Sequence, residues 1–420
     1  MAHMTRMTRK TFLLSLVGGA LVRPVASKGA ARITRITLAP IEGRFHRFVA
    51  MNSYDEAPKG HTYENTLVRV FTDQGVEGVG VMEYAAPDDA FRHAVRGLVD
   101  VNPLDLYEME RGRLVRPAAA QRDLLRRYPH LDGPLFDLIG KLTGKPCYRL
   151  LGDPVRDRIE VYDGTLYFSD VWFRDRGVRA VVEEAEEAVR KGYVGLKFKV
   201  GRGWKWMGER AGLERDIDVM REVRKAVGSD VKVLVDANNG WREKPLELTW
   251  RFLDRTRDLD LFWIEEPFPE DRARYGQLLD RMHDAGMKTL LADGENIRRS
   301  EEFAPYLEPR RLMDVLQMDI RRGGFLDNLR MARMGEAVGA VSVPHNWGSQ
   351  VGLFMGLHLA RVVKSVTAAE DDRSTCDVIQ ADGYEFRAGT YTVSEKPGLA
   401  LTVDEKTYAA KYKAGESVIT

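Results

Sequence analysis

Cysteine is scarce in this chain: two residues of 420, Cys147 and Cys376. So few cysteines exclude a disulfide framework and a cysteine-rich metal site. A surplus of charge is also absent, because the net charge is +1, and this gives no reason to expect nucleic acid or an anionic surface as a partner. No apolar run is long enough to span a bilayer. The composition, 44% hydrophobic and 30% charged, indicates an enzyme-sized chain with one large and one smaller domain.

Residues 1–30 have the features of an export signal. Arg6, Arg9 and Lys10 precede the apolar run 12–22, and Val-Ala-Ser at 25–27 is a possible cleavage site. The stretch 8–13 resembles a twin-arginine export signal in which lysine replaces the second arginine. We therefore expect export to a periplasm, with a cytoplasmic protein that has a disordered N-terminus as the alternative.

Residues 31–152 have the pattern of an α+β module. The pattern predicts a strand, a hairpin and three helices, at 33–40, at 66–81, and at about 88–98, 105–114 and 131–151. The polar loop before the hairpin contains His46 and Arg47, which we expect to lie over the functional site and to bind substrate. A solvated connector is the alternative for this loop.

From residue 153 to 374, short apolar runs alternate with longer amphipathic helical stretches. This is the pattern of βα units around a parallel sheet, so the fold class is α/β. We expect a TIM-type barrel of seven or eight units, in which the carboxyl ends of the strands meet at one mouth. Residues 375–420 are β-like and rich in glycine, and we expect them to pack back on the N-terminal module.

Three acidic residues stand at the ends of successive predicted strands. Asp236 ends Val-Leu-Val-Asp, Glu265 ends Leu-Phe-Trp-Ile-Glu, and Glu295 follows Leu-Leu-Ala-Asp-Gly. Carboxylates gathered at one mouth repel each other and lose hydration unless a cation neutralises them. A hard, oxygen-only ligand set with room for water suits Mg²⁺, with Mn²⁺ possible. For any one acid alone, a helix cap or a first-turn position is the alternative.

The second predicted barrel strand, at 195–200, carries two lysines. Alternation sends Lys197 and Lys199 to one face and Leu196 and Phe198 to the other. Two ammonium groups inside a barrel repel each other, which is expected to lower the pKa of at least one toward that of a general base. The alternative is a surface edge strand with solvated lysines.

The last three predicted strands end at Asp319, His345 and Glu370. Because neighbouring strand tips lie close together, Asp319 can accept a hydrogen bond from one imidazole nitrogen and leave the other aimed at a substrate. A merely structural histidine is the alternative. Loops near the mouth carry groups suited to hydroxyls and acids, which we expect to bind substrate: Asn238, Asn239, Arg321, Arg322, Asn346 and Trp347.

The order Lys-x-Lys, Asp, Glu-Glu-Pro, Gly-Glu, Asp, His along successive strand ends resembles the enolase superfamily, in particular its mandelate racemase and muconate lactonizing enzyme-like group. The resemblance runs from Ile33 to the C-terminus. It implies a capping domain at 31–152, a barrel at 153–374 and a C-terminal segment at 375–420 that completes the capping domain. A dimer or octamer is also implied. The roles that it implies are metal ligation by Asp236, Glu265 and Glu295, a base at Lys199 beside Lys197, a His345–Asp319 dyad, and a strand-end glutamate at Glu370.

The chemistry that follows is removal of a proton next to a carboxylate, which needs a cation because the product carries a second negative charge. If His345 then protonates a departing β-hydroxyl, the protein is an acid-sugar dehydratase that gives a 2-keto-3-deoxy acid. We favour this reaction because the mouth loops are polar. If the proton returns to the same carbon, the protein is a racemase or epimerase of a 2-hydroxy acid. A non-catalytic sugar-acid binding protein is the alternative from another class. In each case the partner is a small carboxylate.

Overall fold

The computed structural model describes residues 30–83 and 88–420. The predicted export signal lies outside these residues. Within these two ranges, no helix is both long and apolar enough to cross a membrane.

The N-terminal module is built on a long antiparallel hairpin. Its strands are β1 (Ile33–Val49), β2 (Gly60–Thr72), β3 (Glu77–Glu83), β4 (Tyr107–Glu110) and β5 (Arg113–Pro117). Its helices are α1 (Asp89–Arg96), α2 (Arg122–Arg127), α3 (Asp132–Thr143) and α4 (Cys147–Leu151). Helix α3 packs on β3 closely enough that a side chain at Gly78 or Gly80 would collide with Pro134.

The predicted helix at 105–114 is wrong. That stretch forms the hairpin of β4 and β5, in which Glu110 pairs with Arg113. The two residues between them, Arg111 and Gly112, have φ of 51° and 77°. Two left-handed residues make the tight turn that matches the twist of antiparallel strands, and this local geometry overrides the helical pattern.

Eight parallel strands and their helices form the barrel. The first four strands and the helices after them are β6 (Arg158–Leu166), α5 (Ser169–Trp172), α6 (Val178–Arg190), β7 (Gly195–Lys199), α7 (Glu209–Val227), β8 (Lys232–Asp236), α8 (Leu246–Arg255), β9 (Leu261–Glu265) and α9 (Arg272–Asp284). The others are β10 (Leu290–Asp293), α10 (Ala304–Leu307), β11 (Val315–Leu316), α11 (Ile320–Ala337), β12 (Val341–Ser342), α12 (Gln350–Ala360) and β13 (Ala368–Asp371).

The barrel strands follow one another in sequence order. Neighbours from β6 to β12 pair in parallel, β13 pairs with β6, and a bridge from Ser342 to Val366 joins the remaining edge. Inside, apolar side chains such as Tyr162, Leu234 and Trp263 form a buried cluster. Burying each large side chain contributes roughly 1.5–3 kcal/mol, so this packed interior holds the strand ends in fixed positions.

The C-terminal segment returns to both domains. It contains β14 (Ser374–Cys376), β15 (Ile379–Ala381), β16 (Phe386–Arg387), β17 (Thr390–Thr392), β18 (Leu401–Val403), α13 (Glu405–Lys411) and β19 (Ser417–Ile419). Strands β14 and β19 pair antiparallel with β1, while β17 pairs with β6. The segment therefore extends the sheet of the N-terminal module, as the sequence predicts.

Candidate active site

Two of the three predicted metal ligands are neighbours at the barrel mouth. Asp236 and Glu265 are the last residues of β8 and β9 and are directly paired across them. Both are buried. Glu295 lies two residues beyond the end of β10, and its side chain is 12% exposed. The carboxyl ends of three adjacent strands thus carry the three acids.

Two buried lysines lie against these acids. The Lys197 ammonium is 2.8 Å from Oε1 of Glu265, 2.7 Å from Oε1 of Glu370 and 3.6 Å from Oδ2 of Asp236. Lys199 donates a hydrogen bond to Oδ2 of Asp236. Burial disfavours the charged form of Lys197, but the charges of Glu265 and Glu370 outweigh it and raise the Lys197 pKa. The expected lowering by lysine–lysine repulsion is therefore not found at Lys197, because the surrounding carboxylates dominate.

His345 and Asp319 form a close pair. Nδ1 of His345 is 2.8 Å from Oδ2 of Asp319, while Nε2 is 3.2 Å from Oε2 of Glu295. Asp319 also caps α11, because its side chain accepts from the backbone N–H of Arg321 and Arg322. Burial opposes protonation of His345, but the charge of Glu295 and the hydrogen bond to Asp319 outweigh it and raise the His345 pKa to about 9. The ring is thus held from one side and presents its other nitrogen to the mouth.

Glu370, the third residue of β13, links this pair to the lysines. Its Oε1 meets Lys197, and its Oε2 accepts from the backbone N–H of Asn346 at 3.1 Å. Burial favours the neutral acid, but the charge of Lys197, followed by that of His345, outweighs burial and lowers the Glu370 pKa. Glu370 is therefore held between Lys197 and the Asn346 backbone, with its Oε2 4.0 Å from Nε2 of His345.

A cavity of about 280 Å³ opens above these groups. Lys199 and His345 both line it, together with Glu295, Asn238 and Trp347. A space of this size suits a small molecule, and a lysine and an imidazole at its wall can give or take protons. The arrangement is that of a site for proton transfer on a small polar molecule.

The family assignment agrees with this geometry. Residues 180–407, just over half of the chain, match the family model described as Enolase C-terminal domain-like. The chain belongs to the enolase superfamily. As the sequence predicts for this superfamily, a barrel follows an α+β module. The acids and lysines also lie at the strand ends in the predicted order.

The superfamily relatives include enzymes of sugar acids. The D-xylonate dehydratase of Haloferax volcanii is 26% identical over 373 residues, which cover 85% of this chain and 87% of the relative. A galacturonate dehydratase of a Geobacillus species, solved with D-galacturonate, has a TM-score of 0.81 at 27% identity and covers 94% of this chain and 100% of its own. A mandelate racemase/muconate lactonizing protein of Geobacillus sp. Y412MC10, complexed with magnesium/tartrate, has a TM-score of 0.78 at 29% identity, with coverage of 93% and 98%.

These names favour a lyase. Other relatives include arabinonate and L-rhamnonate dehydratases, with a racemase of N-succinylated arginine and lysine as a minority case. Dehydratases are hydro-lyases, so the predicted enzyme class and its isomerase runner-up both have counterparts among the relatives.

The three strand-end carboxylates fit a magnesium ion in ligand type. Burial raises the pKa of Glu265 to about 7 against the opposing charge of Lys197, and the nearby Asp236 adds to the rise. A cation beside these buried carboxylates would relieve that cost. In the described part of the chain, no three acidic, histidine or cysteine side chains already surround one point closely enough to hold a metal. The reason is that Lys197 and Lys199 occupy the oxygens of Asp236 and Glu265, while Glu295 faces His345.

The two loop residues that the sequence places over the functional site, His46 and Arg47, lie elsewhere. His46 and Arg47 line a separate cavity on the outer side of the barrel, where Arg47 is 3.4 Å from Oε2 of Glu187 and donates to Oγ1 of Thr165 at 2.9 Å. The cause is the length of β1: buried and exposed residues alternate through Phe45, so the strand continues to Val49 and carries these two side chains with it. The expectation that they bind substrate is corrected accordingly.

The other predicted substrate-binding residues divide into two groups. Asn238, Trp347 and Arg322 line the cavity of about 280 Å³ that Lys199 and His345 share, which we call the catalytic cavity. Arg321 is 3% exposed and donates to Oδ2 of Asp319 at 2.6 Å, so it supports the dyad rather than the cavity wall. Asn346 is likewise buried and donates to the carbonyl oxygen of Ser349.

Several cavity residues are not singled out by the sequence. Tyr54, in the connection between β1 and β2, donates to both carboxylate oxygens of Glu266 at 2.8 Å. Asn296 donates to Oε1 of the same carboxylate, also at 2.8 Å. Lys59 and Glu83, from the end of that connection and the end of β3, complete the wall. The one sequence signal for Tyr54 and Lys59 is that the connection between β1 and β2 is a polar loop expected to lie over the barrel mouth.

The backbone at the mouth is strained at three residues. Asn238, Asn239 and Glu266 have φ of 43°, 58° and 41°. Asparagine tolerates the left-handed region well, whereas glutamate does not, so Glu266 is held there by its contacts. Strain of this kind is concentrated at functional sites, and here it lies next to Asp236 and Glu265 in the chain.

Proposed function

We propose that this protein removes the proton next to the carboxylate of a sugar acid and then expels the β-hydroxyl as water, which gives a 2-keto-3-deoxy acid. The observation that carries the proposal is that Lys199 and His345 line one cavity of about 280 Å³ together with a strand-end acid, Glu295. Two proton-transfer groups facing one small polar space are what a stepwise elimination needs.

Lys199 is assigned the removal of the α-proton. It lies on a barrel strand whose neighbours are fixed by packing, and its hydrogen bond to Asp236 aims the amine at the mouth. Lys197 stays charged among Glu265, Glu370 and Asp236 and holds these side chains in place. Removal of the proton leaves the C–H electron pair on the α-carbon, and in the next step this pair forms the C=C bond when the C–O bond to the β-hydroxyl breaks.

His345 is assigned the proton for the leaving hydroxyl. Asp319 holds Nδ1 at 2.8 Å and thereby orients Nε2 toward the cavity. The enol that remains after water departs takes a proton at the β-carbon, releases its hydroxyl proton and becomes the keto acid.

Mg²⁺, held by Asp236, Glu265 and Glu295, would supply positive charge to the substrate carboxylate when bound, with Mn²⁺ as a substitute. Three carboxylate ligands leave further positions for substrate and water oxygens.

A racemase or epimerase of a 2-hydroxy acid is the second candidate. It uses the same two groups, with His345 returning a proton to the α-carbon. The polar lining, which includes Asn52, Asn238 and Asn296, favours a hydroxyl-rich substrate over an aryl one. The names of the relatives point in the same direction.

The test is a panel of aldonic, aldaric and uronic acids assayed with Mg²⁺ for 2-keto-3-deoxy products. The proposal expects product from at least one member. Exchange of the α-proton into deuterated solvent without keto product supports the racemase. Binding without product or exchange supports the non-catalytic sugar-acid binding protein.

We also propose export of the protein and assembly into a homo-oligomer. Export rests on the basic and apolar residues of the first thirty positions. Cell fractionation with a variant that lacks Arg9 and Lys10 tests it, and light scattering of the purified protein tests a dimer or octamer.

A further inference from the structure

A second cavity adjoins the catalytic one. Its volume is about 360 Å³, and it lies between the end of β3 and residues 126–130 of the N-terminal module on one side and the loop after β10 and the first turn of α11 on the other. Glu83 and Arg322 line both cavities, so the two meet at this pair of residues. We call the second cavity the arginine cleft after the arginines that line it: Arg126, Arg127, Arg298, Arg299, Arg321 and Arg322.

The arginine cleft has a strong excess of positive charge. Among the residues that the structure describes, Glu83 is the only acidic residue in its lining. Within the same described ranges, the side chains of Arg127, Arg298 and Arg299 have no carboxylate within 4.0 Å. Arg126 is 3.0 Å from Glu301, but both side chains are more than half exposed, so water screens the pair.

The cavity next to the arginine cleft has a smaller excess of arginines over acids. A cavity of about 470 Å³ shares Arg126 and Arg299 with the cleft, yet three acids, Asp132, Glu301 and Asp327, line it as well. In its described lining that cavity has five arginines and three acids, a smaller positive excess than the six arginines and one acid of the cleft, and like charges this close repel. A set left unbalanced at the edge of an active site is suited to an anion, because guanidinium groups bind oxyanions through paired hydrogen bonds.

A buried imidazole gives independent support. Nε2 of His130 is buried and has no hydrogen-bond partner in the described structure, and the ring lines the arginine cleft. Burial lowers the pKa of His130 to about 4, so the ring is neutral at pH 7 and carries one N–H. A buried polar atom without a partner is costly, and an Nε2–H that turned toward the cleft would donate to a ligand oxygen there.

The carboxylate of Glu83 already binds two of the arginines in the cleft, Arg321 and Arg322. Its Oε1 accepts from Arg322 at 2.9 Å and from Arg321 at 3.3 Å, and its Oε2 accepts from Nε of Arg322. The Glu83 carboxylate is therefore an internal example of the group that this end of the cleft binds.

We infer that the arginine cleft is an oxyanion site that binds a carboxylate or phosphate group next to the catalytic cavity. Two sources share this chemistry: a second acidic group on the substrate, remote from the reacting carbon, or a separate small anion. The inference rests on the proposed function in one respect: it takes the neighbouring cavity to be the catalytic one.

Direct binding is the first test, and it does not depend on turnover. Calorimetric titration of the full chain with sulfate is compared with that of the double variant Arg298→Gln, Arg299→Gln. Loss of two charge-assisted contacts is expected to weaken sulfate binding about tenfold or more, with binding that falls as salt rises. The control is Arg251→Gln, Arg257→Gln on the outside of the barrel, where both side chains are at least half exposed; it should bind sulfate as the unmodified protein does.

Kinetics then separate the two sources. If the cleft holds the substrate's own second acid, the double variant lowers the ratio of kcat/KM for an aldaric acid to that for the matching aldonic acid about tenfold. If it holds a separate anion, added phosphate changes the turnover of the aldonic acid, and the double variant loses that response. Both outcomes support an oxyanion site.

The inference is overturned if sulfate binds the unmodified protein and the double variant equally, or binds neither, while the substrate ratio and the phosphate response stay unchanged. Turnover of an aldonic acid in that case leaves the proposed function standing. Absence of any turnover by the unmodified protein rejects the proposed function, whatever the titration shows.

Discussion

The catalytic cavity and the arginine cleft meet at Glu83 and Arg322. Positive and negative side chains are paired beside the first, whereas positive side chains are in excess in the second. Beside the catalytic cavity, each lysine lies against a carboxylate, and His345 lies between Asp319 and Glu295. In the described lining of the cleft, six arginines face one acid. Groups that must move protons are held by opposite charges, whereas Arg127, Arg298 and Arg299 in the cleft have no carboxylate within 4.0 Å among the residues that the structure describes.

The difference has a consequence for mutation. Removing a group from the balanced network leaves a buried charge without its partner and changes the chemistry itself. Removing Arg127, Arg298 or Arg299 from the cleft removes attraction for an anion and leaves the network intact. Substitutions at the two cavities should therefore differ both in size and in the kinetic constant that they change.

The largest effect is expected for Lys199→Met, which keeps the bulk of the side chain and removes the amine. Loss of the proton acceptor should lower kcat about 10³-fold or more, with smaller change in substrate affinity. Steady-state kinetics measure this. Lys411→Met, at an exposed lysine of α13, is the matched control and should retain activity. A Lys199→Met protein with normal kcat would contradict the assignment of the base.

A second large effect is expected for Glu265→Gln. This change removes one of the three proposed ligand charges and leaves Lys197 without a charged partner at that position. Mg²⁺ affinity measured by calorimetry should fall by at least 10–100-fold, the range seen when even an outer partner of a ligand is lost. Glu247→Gln on the outer face of α8 is the control. Unchanged Mg²⁺ affinity would show that Glu265 is not a ligand.

Glu83→Gln tests the boundary between the two cavities. The change keeps the shape but removes the charge that pairs with Arg321 and Arg322. With its one described acid neutralised, the cleft should bind sulfate a few-fold more tightly because its positive charge is less balanced. Glu77→Gln, at the opposite end of β3 and paired with Arg69, is the control. Sulfate affinity that falls in Glu83→Gln would contradict the idea that Glu83 competes with the ligand.

The smallest effect concerns a buried histidine outside both cavities. His358 accepts from the backbone N–H of Tyr148 through Nδ1 and meets the Tyr384 hydroxyl through Nε2 at 2.7 Å. Burial lowers its pKa to about 3 from an ordinary 6.5. Below pH 6.5 the unfolded chain binds a proton on His358, whereas the folded chain binds it only near pH 3. The free energy of unfolding is therefore highest above pH 6.5 and falls as the pH drops below that value.

This loss should be about 2 kcal/mol between pH 7 and pH 5, since each pH unit below 6.5 costs about 1.4 kcal/mol. Urea unfolding at the two pH values measures it. His358→Gln should lose this part of the acid sensitivity, and His283→Gln, at an exposed histidine, should keep it. Equal acid sensitivity in the two variants would show that His358 is not the cause.

The sequence predicts the barrel and its strand ends well because both follow from short-range patterns. Apolar runs ending in Asp236 and Glu265 mark strand ends directly, and the fold class is confirmed by the structure and the relatives. The domain boundaries at 31–152, 153–374 and 375–420 stay predictions. The roles of Asp236, Glu265, Glu295, Lys199 and His345 stay predictions as well, although the structure brings these residues together.

What the sequence does not predict depends on contacts between distant segments. The connection that carries Tyr54 and Lys59 reaches the mouth only because β1 and β2 form a long hairpin, and the pattern alone places His46 and Arg47 there instead. The arginine cleft brings together 126–130 and 298–322, which are far apart in the chain. Pattern and spacing describe each segment but not which segments meet.

The most direct test of the central claim is proton NMR of the unmodified protein with Mg²⁺ and an active sugar acid in D₂O. Elimination predicts a 2-keto-3-deoxy acid that carries one deuterium at the former β-carbon, and His345→Asn should form this product far more slowly. Recovery of the sugar acid with deuterium only at the α-carbon, or entirely unchanged despite binding, would contradict dehydration at this site.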